Sequence, residues 1–321
     1  MRLKAARLHR QLYRHRKRYK LDKHAYLLLI HENSLVLNRL IRLIDDNWND
    51  IYIHIDKNAK NIDPSEIKQF AQKSKVYFVK RHKVYWGTNS IMEAEIELFK
   101  AAAKQQYQYY HLLSGADLPI KTQKEIHDFF EENNGKEFIH FGTEQYQKDI
   151  QERYNQYHFF TKRLGRKRDK KFWVQLETYS LAIQRRLHVN REKKNDFSFY
   201  GGSNWCSVTY EYAKYLINEY KRIRRSYYFT QISDESILQT VLMKSLYKNS
   251  VYQSSFSNSC ISNVREIDWN RGNPYVFRAE DFEMLMNSPC MFARKFDEKT
   301  DRKIIEQIYE TINNEQIKDR G

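Results

Sequence analysis

The chain has 321 residues, of which 41% are hydrophobic and 30% are charged, and it carries a formal net charge of +16. This balance excludes an intrinsically disordered chain, and only four Pro and nine Gly exclude long flexible linkers and collagen-like repeats. The excess of cations attracts polyanions, which leaves three classes of partner: nucleic acid, an anionic lipid surface and small molecules that carry phosphate.

The N-terminal residues 1–23 form a strongly basic segment with ten Lys or Arg and one Asp. Apolar residues recur in it at helical spacing, at Met1, Ala5, Leu8 and Leu12. Two interpretations therefore remain open: an amphipathic helix that lies on an anionic membrane surface, or a solvated basic tail. The apolar run that follows is too short for a membrane-spanning helix or for the core of a signal peptide.

Strand and helix patterns alternate through the first 145 residues. Short apolar runs of strand length are separated by segments whose apolar residues recur every three or four positions. Pro64 predicts one helix start, and Thr122 with Glu125 predicts a capping box at another. The predicted strands are residues 25–30, 50–56, 76–79, 109–114 and 137–141, and the longer predicted helices are residues 34–46 and 88–104. Repeated strand–helix–strand units predict a mostly parallel sheet with helices on both faces.

The second half of the chain is less regular and richer in charge. Its predicted helices are residues 173–187, 209–220 and 233–243, and the very basic residues 162–171 are predicted to form a solvated loop. No low-complexity linker separates the two halves, so the sequence predicts a single compact α/β domain.

The sequence offers little support for a bound metal or a disulfide. Cys206, Cys260 and Cys290 are an odd number of cysteines without close spacing, which favours a reducing compartment. His54 and Asp56 share a strand face, but two ligands are weak evidence for a metal, and the chain has no Asp-x-Asp pair. A chain rich in cations can instead neutralise a pyrophosphate with Arg and Lys.

Six segments, in order, resemble the core-2/I-branching β-1,6-N-acetylglucosaminyltransferases and the peptide O-xylosyltransferases related to them. The resemblance implies a GT-A-like fold over residues 24–310, with a nucleotide-sugar half at 24–145 and an acceptor and diphosphate half at 146–310. It also implies an inverting transfer from a UDP-sugar without a divalent metal or another cofactor. The matching segments are residues 51–60, 84–102, 110–126, 201–218, 233–242 and 288–297.

The resemblance also implies roles for individual residues. Glu235, in the first turn of a predicted helix, matches the catalytic base of a Ser-x-Asp-Glu motif, although an acid there also suits the helix dipole. Lys295 matches a lysine that contacts the UDP diphosphate, and its neighbour Arg294 is expected to pair with a carboxylate such as Asp297. The other implied residues are Arg271 for the diphosphate, His31, Asp56 and Ser90 for the nucleoside, and Glu152, Arg153 and Trp205 for the acceptor.

The sequence departs from the animal members of this family, and these differences affect the compartment and the substrates that we expect. It lacks their transmembrane anchor and their many cysteines, so we expect a bacterial cytoplasmic protein that is peripheral at the inner face of the plasma membrane. The expected acceptor is a saccharide or lipid-linked saccharide of a surface polysaccharide or glycolipid, and the expected donor is UDP-GlcNAc, with UDP-xylose as the alternative.

A non-catalytic protein that binds nucleic acid or a membrane is the alternative from another class. We expect no nucleic-acid partner, because the most basic stretch, residues 162–171, contains no aromatic residue and the sequence has no nucleic-acid-binding motif.

Overall fold

A computed structural model describes residues 23–165, 169–257 and 259–319. Residues 1–22, and with them almost all of the basic segment and its two interpretations, lie outside the described residues. Within the described part, no helix combines the length and the apolar character that crossing a membrane requires.

The larger sheet has five strands in the order β3-β2-β1-β4-β6. The first four of these strands run parallel, and β6 runs antiparallel to β4. The prediction of a mostly parallel α/β domain with a GT-A-like fold is therefore confirmed. The strands are β1 (His24–Ile30), β2 (Asn49–Ile55), β3 (Lys75–Phe78), β4 (Tyr109–Ser114) and β6 (Ser207–Thr209).

Helices surround this sheet, and their starts follow the predicted caps. Asp63 caps the helix that begins at Pro64, and Thr122 and Glu125 form the predicted capping box. The α-helices within the described residues are α1 (Leu35–Ile44), α2 (Pro64–Lys68), α3 (Asn89–Ala102), α4 (Gln123–Glu132), α5 (Glu144–Tyr154), α6 (Thr161–Leu164), α7 (Lys171–Arg186), α8 (Tyr210–Ile223), α9 (Asp234–Met243), α10 (Phe282–Asn287) and α11 (Arg302–Lys318).

The central strand β1 shows why helices lie on both faces of the sheet. Alternate residues of a strand face opposite ways. Tyr26 and Leu28 pack into a core that includes α1 and α11, whereas Ala25 and Leu27 pack into a second core that includes α3, α8 and α9. A strand that is apolar on both faces is typical of a parallel sheet that is covered on both sides.

A second, smaller sheet was not predicted. It contains β5 (Asp117–Pro119), β8 (Phe292–Arg294) and β7 (Arg265–Ile267) in that order. These strands have three residues each, too few to show a strand period in the sequence.

Two local predictions were wrong. Residues 137–141 do not form a full strand, since only Glu137 and Phe138 make isolated bridges. Two residues further on, the carbonyl of His140 accepts from the side chain of Gln239 instead of a neighbouring strand. The segment predicted as a basic loop contains most of the short helix α6.

A buried arginine joins the two sheets. Arg265, on β7, is 1% exposed. One of its terminal nitrogens donates to the hydroxyl of Ser207 at 3.1 Å and to the carbonyl of Asn263. The other donates to the carbonyls of Leu112, at 3.4 Å, and Cys206. Burial lowers its pKa to about 10, so it still carries its charge at neutral pH.

We predict that Arg265→Met lowers the free energy of unfolding by about 3 kcal/mol, because several buried acceptors lose a charged donor. Denaturant unfolding of the full chain measures this change. The matched control is Arg302→Met, whose side chain is 71% exposed. We expect the control to stay within about 0.5 kcal/mol of wild type. Equal effects of the two substitutions would contradict a joining role for Arg265.

Candidate active site

Two residues predicted to contact the nucleoside lie side by side at the carboxyl edge of the larger sheet. The backbone nitrogen of Asp56 donates to the carbonyl of Ile30 at 2.9 Å. This bond brings Asp56, at the end of β2, next to His31, which follows β1. His31 is exposed and Asp56 is half-buried. In open parallel sheets this edge is where ligands bind.

The third predicted nucleoside residue, Ser90, lies in the first turn of α3, next to a loop that contacts the same edge. The backbone nitrogen of Val84 donates to a carboxylate oxygen of Asp56 at 3.0 Å. The hydroxyl of Ser90 accepts from the backbone nitrogen of Tyr85 at 2.8 Å and hydrogen-bonds Thr88 at 2.7 Å. Ser90 therefore shapes the loop that covers Asp56, and the structure brings the three predicted residues to one place.

One ring nitrogen of His54, which shares a strand face with Asp56, is already engaged in a hydrogen bond. The Nε2 atom of His54 accepts from the backbone nitrogen of His82 at 2.9 Å, and burial lowers the pKa of His54 to about 4. In the described ranges no three His, Cys, Asp or Glu side chains are grouped as a metal site.

Lys295 lies on a backbone that is fixed on both sides. Its nitrogen donates to the carbonyl of Tyr275 at 3.4 Å, and its carbonyl accepts from Phe277 at 3.0 Å. Phe277 and Phe296 are buried with their ring centroids 5.7 Å apart. The half-buried Lys295 side chain therefore starts from a well-defined position.

Arg271, the second residue predicted to bind the diphosphate, is already held by two carboxylates. It forms ion pairs with Asp268 at 2.5 Å and with Asp281 at 2.7 Å. Its guanidinium lies 4.0 Å from the ring centroid of Tyr275. Since Tyr275 also accepts a hydrogen bond from the backbone of Lys295, both predicted residues contact Tyr275.

The expected pairing of Arg294 with Asp297 is wrong. Arg294 forms an ion pair with Asp117 at 2.7 Å and a hydrogen bond with Ser114. Asp117 is the direct cross-strand partner of Arg294 in the pairing of β5 with β8, and this proximity decides the ion pair. The Arg294 guanidinium also lies 4.3 Å from the ring centroid of Trp205, which places this predicted acceptor residue beside the end of β4.

Glu235, the predicted base, lies in the first turn of α9. Its carboxylate accepts a hydrogen bond from the hydroxyl of Tyr146. Burial raises the pKa of Glu235 above its ordinary value, while the bond from Tyr146 and the charge of Arg153 act in the opposite direction. A carboxylate with a raised pKa that is aligned by a hydrogen bond is suited to accept a proton.

Two further buried carboxyl groups lie near Glu235: Asp234, its neighbour in the predicted motif, and Glu95, which was not predicted. Burial and the charge of Glu235 raise the pKa of Asp234 to about 8. Burial and the charge of Asp234 raise the pKa of Glu95 well above its ordinary value, although Asn204 donates to it at 2.7 Å. Like charges in one site do not all ionise together. The Tyr146 bond and the Arg153 charge both favour the ionised form of Glu235.

Of the two neighbouring residues predicted to bind the acceptor, the structure brings only Arg153 close to Glu235. Consecutive helical residues lie 100° apart, and Glu152 is exposed. Tyr146 and Arg153, seven residues apart on α5, share one face. That spacing is the signal by which Tyr146 would have been found from the sequence.

The loop that carries Trp205 is attached directly to the helix of Glu235. The backbone nitrogen of Gly202 donates to the carbonyl of Glu235 at 2.8 Å. A side chain at Gly202 would collide with the carbonyl oxygen of His140. Glycine at this position therefore permits the close approach of backbones that brings Trp205 and Glu235 to one site.

The family model described as Core-2/I-Branching enzyme matches residues 24–290. Xylosyltransferase 2 of Canis lupus familiaris is 23% identical over 301 residues, which cover 88% of this chain and 33% of that protein. Xylosyltransferase sqv-6 of Caenorhabditis briggsae is 25% identical over 284 residues, covering 79% and 32% respectively. The chain thus spans about a third of the length of the curated relatives it matches.

We predict that Lys295→Ala weakens UDP binding severalfold, because the diphosphate loses one fixed cation. Calorimetric titration of UDP into the full chain measures the change. The matched control is Lys299→Ala, an exposed lysine four residues away, for which we expect an unchanged affinity. An unchanged affinity in Lys295→Ala as well would mean that Lys295 does not contact the diphosphate.

Proposed function

The chain belongs to the Core-2/I-Branching enzyme family, and we propose that it is an inverting glycosyltransferase. It moves a sugar from a UDP-sugar to a hydroxyl of a saccharide acceptor and forms a β-linkage. The observation that carries this proposal is the arrangement around Glu235, where Tyr146 donates to the carboxylate and Arg153 places a positive charge nearby.

In the proposed reaction Glu235 acts as the general base. It takes the proton of the acceptor hydroxyl while that oxygen attacks the anomeric carbon of the donor. The bond from the anomeric carbon to the UDP oxygen breaks on the opposite face, so the configuration inverts. Arg153 supports the acceptor side, because it places a positive charge beside the proposed base.

The departing UDP gains negative charge on its phosphates, and fixed cations stabilise that charge more in the transition state than in the ground state. We assign this role chiefly to Lys295, in place of a divalent metal. Arg271 contributes less in this proposal, since Asp268 and Asp281 already balance its charge. His31, Asp56 and Ser90 hold the nucleoside at the edge of the sheet.

Two donors are candidates. UDP-GlcNAc follows from the resemblance to branching enzymes. UDP-xylose is favoured by the relatives that match this chain, which are named xylosyltransferases. The two sugars differ at C2, where GlcNAc carries an N-acetyl group, and at C5, where xylose lacks a hydroxymethyl group. Transfer measured with each donor under the same conditions distinguishes them.

We further propose that the protein works in a bacterial cytoplasm at the inner face of the plasma membrane. Its acceptor is then a lipid-linked saccharide or another precursor of a surface polysaccharide or glycolipid. The formal net charge of +16 supports attraction to an anionic membrane surface.

We predict that Glu235→Gln lowers the rate of sugar transfer by about 10²–10⁴-fold and leaves UDP affinity unchanged, because the amide keeps the shape but cannot accept the proton. Product formation from labelled UDP-sugars in the presence of EDTA measures the rate. Glu144→Gln, at an exposed position on α5, is the control and keeps the wild-type rate. Transfer by Glu235→Gln within tenfold of wild type would remove Glu235 from the mechanism, and loss of wild-type transfer in EDTA would contradict metal independence.

A further inference from the structure

Helix α7 exposes large apolar side chains although it buries two polar ones. Its buried side chains are polar, Glu177 at 5% and Gln184 at 7% exposure. Large apolar side chains of the helix and of the residue after it are exposed instead: Phe172 at 63%, Tyr179 at 68%, Ile183 at 42% and Leu187 at 69%. A helix that packs on a soluble protein ordinarily shows the reverse arrangement.

Hydrogen bonds fix α7 in this orientation. Glu177 pairs with the ring of His158 at 2.7 Å, and the other ring nitrogen of His158 contacts the carbonyl of Arg153 at 3.0 Å. Gln184 accepts from the backbone nitrogen of Tyr157 at 2.7 Å and donates to its carbonyl at 2.8 Å. Turning the helix to hide its apolar side chains would break these bonds and leave buried polar groups unsatisfied.

The exposed apolar residues form one continuous stripe. Phe172, Tyr179 and Ile183 are spaced by seven and four residues, which places them within a narrow arc of the helix surface. More exposed rings lie beside the helix. Phe159 is 49% exposed and stacks on Tyr157, which Gln184 holds, and Phe229 is 54% exposed and contacts Phe159. An exposed apolar stripe of this kind marks an interaction site.

The charged residues beside the apolar stripe of α7 indicate which kind of partner binds it. Lys171, Arg185 and Arg186 of α7 are exposed, whereas the one acid of this helix, Glu177, is buried. Apolar side chains flanked by cations match a bilayer, whose acyl region accepts the stripe while anionic headgroups meet the cations. A second copy of the chain would bring like charges together, and a nucleic acid offers no apolar layer.

We infer that α7 docks on the surface of an anionic lipid bilayer through Phe172, Tyr179 and Ile183. The docking does not rest on the proposed transferase activity. One consequence does: because His158 links Glu177 of α7 to the backbone of Arg153, docking holds the proposed acceptor side close to the membrane, where a lipid-linked saccharide is presented.

Co-sedimentation of the full chain with phosphatidylcholine vesicles, with and without phosphatidylglycerol, tests the inference. We expect binding to the anionic vesicles, and the triple variant Phe172→Ser, Tyr179→Ser, Ile183→Ser should bind them at least about tenfold more weakly. The control replaces three exposed apolar residues elsewhere, as Leu246→Ser, Met284→Ser, Ile317→Ser, and should bind like wild type. Both variants keep the basic N-terminal segment, so that segment does not explain a difference between them.

A second arm tests the charges. Arg185→Glu with Arg186→Glu should weaken binding to vesicles that contain phosphatidylglycerol. Wild-type binding by the apolar triple variant would overturn the inference. So would a wild-type dimer that this variant dissociates, or RNA binding that it abolishes, because either result assigns the stripe to another occupant. No sugar donor is present, so a failure here leaves the transferase proposal standing.

Discussion

The buried guanidinium of Arg265 is the constraint on which the arrangement of the two sheets depends. Placing a cation in the protein interior is costly unless hydrogen bonds satisfy it. Here its acceptors come from the end of β4, from β6 and from the segment before β7, so satisfying the charge requires all three to meet. One of these acceptors is the carbonyl of Cys206, the neighbour of Trp205. The same cation thus fixes a loop of the proposed active site.

Because Arg265 holds the two sheets together, it also fixes the positions of the proposed catalytic groups relative to each other. Glu235 belongs to a helix on the larger sheet, whereas Lys295 follows the last strand of the smaller one. Arg294, the neighbour of Lys295, contacts Trp205. The loop that carries Trp205 is hydrogen-bonded to the helix of Glu235. A continuous set of contacts therefore runs from the proposed base to the proposed diphosphate site. Catalytic groups held by rigid elements are positioned better than groups on loops.

The elements that could be predicted from the sequence are those that local residue patterns encode. Strands β1 to β4 and the capped helices were predicted because apolar spacing and capping residues act over a few positions. The smaller sheet was not predicted because its strands are very short, and the ion pair of Arg294 with Asp117 was not predicted because it joins residues 177 positions apart. Tyr146 was missed for a similar reason, because its bond to Glu235 spans 89 positions. His31, Asp56 and Ser90 were predicted from the resemblance, and His31 and Asp56 lie at one edge because the carboxyl ends of parallel strands meet there.

We propose that one cleft contains the residues that hold the nucleoside, a cation that contacts the diphosphate and the general base. A crystal structure of the chain with UDP bound tests it most directly. The account predicts the uracil and ribose beside His31 and Asp56, the diphosphate within contact of the Lys295 ammonium, and the terminal phosphate directed toward the space in front of Glu235. UDP bound away from the carboxyl edge of the larger sheet, or a diphosphate contacted by neither Lys295 nor Arg271, would contradict it.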